Sequence, residues 1–337
     1  MFERHCLSTC AQTMKRFLLA AIAVTLALAS HPAFAGACGA QIRTDVVLTS
    51  DLHCTGNALF IIGPLPGAPN ITIDLNGFSV IGDGTGAGIT VAAVGGVIVK
   101  GPGRVSNFQV GLFVNQAVDV VAYDLTLVNN QTGVVADRTS ATRIFDNVIR
   151  GGRNGQIGIS INTSTKIFLH RNTITGHSSF GIQIPVGDPP DVIFPTISEN
   201  TIKNNGAGIF VKGLDSDSII RDNTIAENNG NGIEIGNIIE AGCTIEGNDV
   251  HANVGSGIVI SGRPQTGCLI QNNIVTNNLV NGISIVSGGP FPLQIRVLGN
   301  RLSSNGIDML WDTISNSCFS QNIFSTSSPA IFPPCTL

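Results

Sequence analysis

The sequence predicts an all-β solenoid, a parallel β-helix of about ten to twelve coils that each add roughly 4.8 Å to a rod. The first supporting observation is a Gly-Ile, Gly-Leu or Gly-Val step that recurs with a period in the twenties. The second is alternation of apolar and other residues after each step, as in Ile233-Glu234-Ile235, which is typical of strands. The repeating glycines are Gly88, Gly111, Gly133, Gly158, Gly181, Gly208, Gly232, Gly257, Gly282 and Gly306.

An asparagine recurs in step with these glycines. Its positions are Asn147, Asn172, Asn200, Asn223, Asn248, Asn273, Asn300 and Asn322. We expect these residues to stack at one turn of every coil, with their side-chain amides bonded to each other and to turn backbone. The alternative is that they form a ligand-binding patch.

The best-formed repeat is the segment Asn223–Ile235, with the pattern Asn-x-Ile-x-x-Asn-x-x-x-Gly-Ile-x-Ile. This pattern resembles the right-handed parallel β-helix repeat of pectate lyases, polygalacturonases, mannuronan epimerases and periplasmic carbohydrate-binding or sugar-hydrolysis proteins. The resemblance covers about Ile71 to Asn322 and implies a single-stranded, right-handed parallel β-helix. It says less about activity, because one fold hosts many functions.

The ends of the chain are predicted to differ from the repeat. Residues 1–35 have the basic start, apolar run and small-x-small site of a secretory signal peptide, and Met14 is an alternative true start. We predict an N-terminal cap at 36–70, the β-helix at 71–310 and a C-terminal cap at 311–337, because uncapped end coils would expose strand edges. We therefore expect a secreted or periplasmic protein, without a transmembrane segment once the signal is removed.

The charge balance limits the class of partner. The chain has 18 Lys and Arg residues against 22 Asp and Glu residues, a net charge of −4. Removing residues 1–35, which hold three basic residues and one acidic residue, changes the net charge to −6. This acidic balance argues against nucleic acid or an anionic membrane surface as the partner.

Six of the eight cysteines lie beyond residue 35, an even number that suggests disulfides in an exported chain. Cys243 and Cys268 are one period apart at the same coil position, so stacking should bring them within bridging distance. We predict this pair together with Cys38–Cys54 in the N-terminal cap and Cys318–Cys335 in the C-terminal cap. A metal site is the alternative, although the sequence contains no Cys-x-x-Cys motif.

In the polysaccharide enzymes that the repeat resembles, the cleft lies on the sheet of Gly-Ile-x-Ile strands and on the loops that follow them. The residue between the two apolar positions of each strand should point outward. In successive coils it is Thr90, Phe113, Val135, Ser160, Gln183, Phe210, Glu234, Val259, Ser284 and Asp308. Polar groups concentrate in the middle coils, where the substrate-binding candidates are Asp137, Asn162, Gln183 and Phe210.

Two reaction types fit residues of the middle coils. Acids on successive loops, namely Asp188, Asp191, Asp215 and Asp217, have the hard oxygen ligands that Ca²⁺ prefers. The resemblance to lyases implies that such a Ca²⁺ would neutralise a uronate carboxylate while Lys212, or else Arg138, removes the adjacent proton. A hydrolase would instead need two carboxylates, for which Glu234 with Asp215 or Asp217 is the candidate pair. The alternative is that these acids only solubilise turns.

Three functions remain open at this level. The first is binding or processing of an extended, polyuronate-like extracellular polysaccharide. The second is a Ca²⁺-dependent polysaccharide lyase with Lys212 as base; a hydrolase or an epimerase is less favoured, because the Asp-Asp pair of polygalacturonases and the Asp-Pro-His-Glu signature of epimerases are absent. The third is a non-catalytic structural or surface-interaction rod.

Overall fold

The protein is an all-β, parallel β-helix in a computed structural model. The structure describes residues 33–34, 37–63, 70–185, 195–212, 218–236, 242–262, 267–287, 294–312 and 317–335. Its strands pair in parallel and form one sheet of 13 strands and another of 22 strands. Among the described residues there is no helix long and apolar enough to cross a membrane.

The 13-stranded sheet, called the Gly-Ile sheet below, receives one strand from each coil. Its strands are β2 (Ala40–Ile42), β5 (Leu59–Ile61), β8 (Ala87–Ala92), β10 (Val110–Asn115), β12 (Thr132–Asp137), β15 (Ile157–Asn162), β18 (Phe180–Ile184), β21 (Ala207–Lys212), β24 (Ile233–Gly236), β27 (Ile258–Gly262), β30 (Asn281–Ser287), β33 (Ile307–Trp311) and β35 (Ser327–Ser328). The ten strands from β8 to β33 belong to the regular coils, which confirms the predicted solenoid.

The 22-stranded sheet, called the double-strand sheet, receives two strands or one long strand from each coil. Its strands are β1 (Ala33–Phe34), β3 (Val46–Leu48), β4 (Leu52–His53), β6 (Ile71–Asp74), β7 (Ser79–Ile81), β9 (Gly95–Ser106), β11 (Val118–Val128), β13 (Arg143–Phe145), β14 (Val148–Arg150), β16 (Phe168–His170), β17 (Thr173–Thr175), β19 (Thr196–Ser198), β20 (Thr201–Lys203), β22 (Ser218–Arg221), β23 (Thr224–Ala226), β25 (Cys243–Glu246), β26 (Asp249–His251), β28 (Cys268–Gln271), β29 (Ile274–Thr276), β31 (Ile295–Leu298), β32 (Arg301–Ser303) and β34 (Cys318–Ser320).

The core is a set of parallel rows of aliphatic side chains inside the coils. In one coil the inward residues are Ile220, Ile225, Ile233 and Ile235, each at most 1% exposed. The next coil places Ile245 opposite Ile220 and Ile258 opposite Ile233, so like side chains stack along the rod. The alternation in the sequence therefore becomes one continuous apolar core.

The repeating glycine is required where the Gly-Ile strand passes close to its neighbours. A Cβ on Gly133 would lie 2.6 Å from the carbonyl oxygen of Gly158 and against a methyl group of Ile149. Real Cβ atoms do not approach backbone this closely, so the coils from Gly88 to Gly282 admit only glycine at this position.

Asparagine ladders pair the buried backbone groups at the bends between strands. The predicted ladder from Asn147 to Asn322 is confirmed: Asn172 Nδ2 donates to Asn200 Oδ1 at 3.0 Å and to Ile144 O at 2.8 Å, and the other members repeat this arrangement. A second ladder, which the sequence analysis did not predict, runs through Asn205, Asn228, Asn253, Asn278 and Asn305. Because buried amides must be paired, these ladders hold the coils in register.

The last regular coil departs from the predicted register. Met309 lies opposite Ile283 and Leu310 opposite Ser284, so the outward residue is Leu310 and the prediction of Asp308 is wrong. Asp308 instead takes the glycine position and is 1% exposed. Hydrogen bonds accommodate its carboxylate: Oδ2 accepts from the backbone N of Ser325 and of Thr326, and Oδ1 accepts from the backbone N and Nδ2 of Asn305, which ends the second ladder.

Within the described residues there are three disulfides, Cys38–Cys54, Cys243–Cys268 and Cys318–Cys335, the same pairs that the sequence predicts. Cys243 lies directly opposite Cys268 in neighbouring coils, with a Cα–Cα distance of 4.4 Å. The predicted signal peptide lies outside the described residues except for Ala33–Phe34, which pairs with Val47 and Leu48. The domain boundaries at 70/71 and 310/311 stay predictions, since strand pairing continues across both.

Candidate functional site

The outward face of the Gly-Ile sheet carries two rows of side chains. The middle row stands between the two inward apolar residues of each strand, and the end row stands at the end of each strand. Strand pairing places Ser160, Gln183, Phe210 and Glu234 next to one another in the middle row. Pairing also places Asn115, Asp137 and Asn162 next to one another in the end row.

The centre of the middle row combines aromatic, amide and carboxylate groups. The rings of Phe180 and Phe210 stack with centroids 5.0 Å apart and planes at 29°. Gln183 and Glu234 flank Phe210 on the preceding and following coils. Asn231 Nδ2 donates to Glu234 Oε2 at 2.8 Å, which fixes the carboxylate beside the rings. All of these side chains are partly exposed, so they form an open surface.

Neither Phe180 nor Asn231 was among the predicted site residues. Each stands at the start of its strand, on the residue directly before the repeating glycine. The signal that could have identified them is this position, because it is partly exposed in most coils and here holds an aromatic residue and an amide.

The end row is polar over three coils. Asp137 lies between Asn115 and Asn162 in the strand register. Arg138 follows Asp137 with a left-handed φ of 51°, and its Nη2 lies 3.0 Å from Asp137 Oδ2. The arginine is 55% exposed, so the pair contributes little to stability, but it neutralises the carboxylate at this end of the face.

Lys212 and Glu234 are diagonal neighbours. Lys212, the last residue of β21, lies opposite Gly236 of the next coil. Gly236 is two residues beyond Glu234, so Lys212 and Glu234 are diagonal neighbours about 7–8 Å apart. Lys212 is exposed. Arg138 is three coils away from Lys212, roughly 14 Å along the rod. The structure therefore brings Lys212 near Glu234 and leaves Arg138 apart from both.

The predicted calcium ligands cannot be placed on this face. Asp188, Asp191, Asp215 and Asp217 lie outside the described residues. Within the described residues, no group of three or more His, Cys, Asp or Glu side chains is arranged to hold a metal ion.

The strip formed by these residues is elongated. Asp137, Asn162, Gln183, Phe210 and Glu234 occupy five successive coils, so the strip runs about 19 Å along the rod. We call this surface the polar strip. Its shape and its mixture of ring, amide and charged groups suit a long, flexible, hydroxyl-rich ligand better than a compact one.

Parts of the chain match known families. Residues 194–302 match the family described as "Right handed beta helix region", and residues 68–189 match "Periplasmic copper-binding protein (NosD)". No curated protein matches the chain significantly.

Solved structures of similar fold include three with TM-scores above 0.5. The Dettilon tailspike protein has a TM-score of 0.58 and 14% identity, with 86% of this chain and 62% of that chain covered. The catalytic unit of a GH87 α-1,3-glucanase from Streptomyces thermodiastaticus has a TM-score of 0.55 and 15% identity, with 85% and 63% covered. The A-module of the Azotobacter vinelandii mannuronan C-5 epimerase AlgE6 has a TM-score of 0.51 and 14% identity, with 84% and 91% covered. These likenesses establish the right-handed parallel β-helix fold that the repeat predicts.

The copper named in one family description has no matching site among the described residues of 68–189. Both ring nitrogens of His170 are engaged, Nδ1 with Ser198 Oγ at 3.0 Å and Nε2 with Arg171 Nη1 at 2.6 Å. The other histidine of this range, His177, is only 2% exposed. These residues do not fit a copper centre.

Proposed function

We propose that the polar strip binds an extended extracellular polysaccharide. The observation that supports this most is the stacked pair Phe180 and Phe210 between Gln183 and Glu234. Aromatic rings bind the apolar faces of sugar rings, and amides and carboxylates beside them bind hydroxyl groups. Two of the proteins with similar folds are named as a mannuronan epimerase and an α-1,3-glucanase, which is consistent with this ligand class.

We further propose that this polysaccharide is polyuronate-like and that the protein binds it outside the cytoplasm. Lys212 supplies an exposed positive charge for a uronate carboxylate at the end of the strip. The three disulfides favour an oxidising compartment, and one matched family is described as periplasmic. Export by residues 1–35 is part of this proposal.

Binding to a panel of glycans tests the proposal. We expect wild-type protein to bind at least one polysaccharide and Phe210→Ala to weaken that binding by about tenfold, or 1.4 kcal/mol. Phe168→Ala is the matched control, because Phe168 is 42% exposed on the double-strand sheet. Equal loss in the two variants would contradict binding at the strip, and failure of wild-type protein to bind any glycan would favour a non-catalytic structural rod.

A lyase is the second candidate, because Lys212 and Glu234 are neighbours on the strip. Lys212 would remove the proton next to the uronate carboxylate, as proposed from the sequence; the electron pair released would form a C=C bond as the glycosidic C–O bond breaks, and the leaving oxygen would take a proton from water. Ca²⁺ held by Asp188, Asp191, Asp215 and Asp217 would neutralise that carboxylate. The test follows unsaturated and reducing ends on pectate and alginate, with Ca²⁺ and with chelator. Unsaturated product that is lost in Lys212→Ala supports the lyase. Reducing ends without unsaturation would point to hydrolysis through Glu234.

A further inference from the structure

A second surface with free hydrogen-bonding groups lies at the turns that lead into the Gly-Ile sheet. These turns differ in length between the last inward residue and the repeating glycine. Val105–Gly111 and Leu127–Gly133 are two neighbouring short connections, whereas Val80–Gly88 before them and Ile149–Gly158 after them are two and three residues longer. Two projecting turns therefore stand on either side of two low ones.

The result is a groove of about 390 Å³, called the saddle below. Its lining residues are Gly84, Phe108, Gln131, Arg153, Asn154, Gln156 and Ser178. Phe108 and Gln131 come from the low turns and form its floor, and Gly84 and Arg153 come from the projecting turns and form opposite walls. Those walls are three coil steps apart, about 14 Å, a width that suits one or two sugar rings.

Close backbone contacts fix the walls. A Cβ on Gly82 would lie 2.6 Å from ring atoms of Phe108, so the first projecting turn lies directly on that ring. A Cβ on Gly155 would collide with the backbone of Gly151, and one on Gly151 would collide with the carbonyl of Gly176. Since side chains are excluded at these positions, the saddle has a defined shape.

The polar side chains of the saddle are free to bind a ligand. Among the described residues, the side chains of Arg153, Gln131 and Gln156 have no hydrogen-bond or ion-pair partner, in contrast to Arg138, Arg143, Arg171 and Arg221, which each contact an aspartate. Asp83 is adjacent to the saddle in sequence, but its Oδ1 accepts hydrogen bonds from the backbone N and Oγ1 of Thr85. The saddle therefore presents one guanidinium with several uncommitted amides.

We propose that the saddle binds a carboxylate-bearing sugar, with Arg153 paired to the carboxylate and the amides of Gln131 and Gln156 bonded to hydroxyl groups. A guanidinium matches the two oxygens of a carboxylate in a bidentate pair, and amides both donate to and accept from hydroxyls. This site is distinct from the polar strip: it lies at the opposite ends of the Gly-Ile strands from Asp137 and Lys212. It rests on the polyuronate-like ligand of the proposed function and adds a second site for the uronate residues of that ligand.

Calorimetric titration with galacturonate and mannuronate oligomers of two or three units tests the saddle. We expect wild-type protein to bind at least one of them and Arg153→Ala to weaken binding ten- to a hundredfold, as loss of a charge-assisted pair implies. Arg301→Ala is the matched control, since Arg301 is exposed on the double-strand sheet. Neutral glucose oligomers and inorganic sulfate should not compete. Competition by sulfate alone would show a simple anion site and overturn the proposal.

The two proposals fail in different ways, because they rest on different residues. If the saddle is the uronate site, Phe210→Ala should leave binding of the short oligomers within about twofold of wild type, while Arg153→Ala weakens it ten- to a hundredfold. If short uronate oligomers bind equally to wild type and Arg153→Ala, the saddle proposal is wrong and the strip stands. If long polysaccharide shows no dependence on Phe210 while short oligomers depend on Arg153, the strip is wrong and the saddle stands.

Discussion

His177 should make the protein sensitive to mild acid. The residue is 2% exposed and occupies an asparagine-ladder position, where its Nδ1 lies 3.1 Å from Asn205 Oδ1. Because that oxygen is an acceptor, Nδ1 carries the proton, and Nε2 is buried without a partner. Burial lowers the pKa of His177 from 6.5 to about 4, against a smaller opposing effect of the hydrogen bond to Asn205.

The magnitude follows from these two pKa values. The unfolded chain binds the proton more tightly, so the contribution of His177 to stability is complete above pH 6.5 and is lost as the pH falls toward 4. Each pKa unit corresponds to about 1.4 kcal/mol, which gives a loss of roughly 3 kcal/mol below pH 4 and about 2 kcal/mol at pH 5. Protonation would place a charge at Nε2, where no partner is available.

The informative substitution is His177→Asn, which installs the ladder residue found in the following coils. We expect the difference in unfolding free energy between pH 7 and pH 5 to shrink by about 2 kcal/mol relative to wild type. Urea unfolding at constant ionic strength measures this difference. If His177→Asn keeps the wild-type difference, His177 is not held as a buried neutral group and the reasoning is wrong.

Three further substitutions test the core and the cap. Thr142→Val should raise the free energy of unfolding by about 1 kcal/mol, because Thr142 Oγ1 is buried without a partner; a lower urea midpoint would contradict this. Gly158→Ala should lower stability by several kcal/mol or prevent folding, because a Cβ there meets neighbouring backbone. Gly236→Ala is the control: a Cβ at Gly236 makes only ordinary contacts, so this variant should be tolerated in the same assay. Asp308→Asn should lower stability at pH 7 and make the protein less sensitive to acid below pH 4. Burial raises the pKa of Asp308, but hydrogen bonds from Asn305, Ser325 and Thr326 outweigh burial and lower that pKa. The contribution of Asp308 to the free energy of unfolding is therefore lost as the pH falls. An unchanged acid profile would refute this last expectation.

The sequence predicts those features that depend on the coil period. Residues separated by one period lie opposite each other in neighbouring coils, so the Asn147–Asn322 ladder and the Cys243–Cys268 disulfide follow directly from spacing. The same argument places Gln183, Phe210 and Glu234 in one row.

Features that depend on turn geometry could not be predicted in this way. The two-residue shift at Asp308 depends on the segment that follows, where the backbone N–H groups of Ser325 and Thr326 bind a carboxylate at the position that holds glycine in the preceding coils. The stacking of Phe180 on Phe210 is a diagonal contact between coils, and the saddle depends on which turns project. The coil period predicts neither feature. The four predicted calcium ligands lie in loops whose lengths vary from coil to coil, so the period does not fix their relative positions.

A crystal structure of the protein with a bound oligosaccharide tests the central claim most directly. The polar strip predicts sugar rings along β12 to β24, with one ring over Phe210 and hydroxyl groups bonded to Gln183 and Glu234. A glycan bound to the double-strand sheet instead, with Phe210 and Gln183 in contact only with solvent, would contradict the assignment of the strip as the polysaccharide-binding surface.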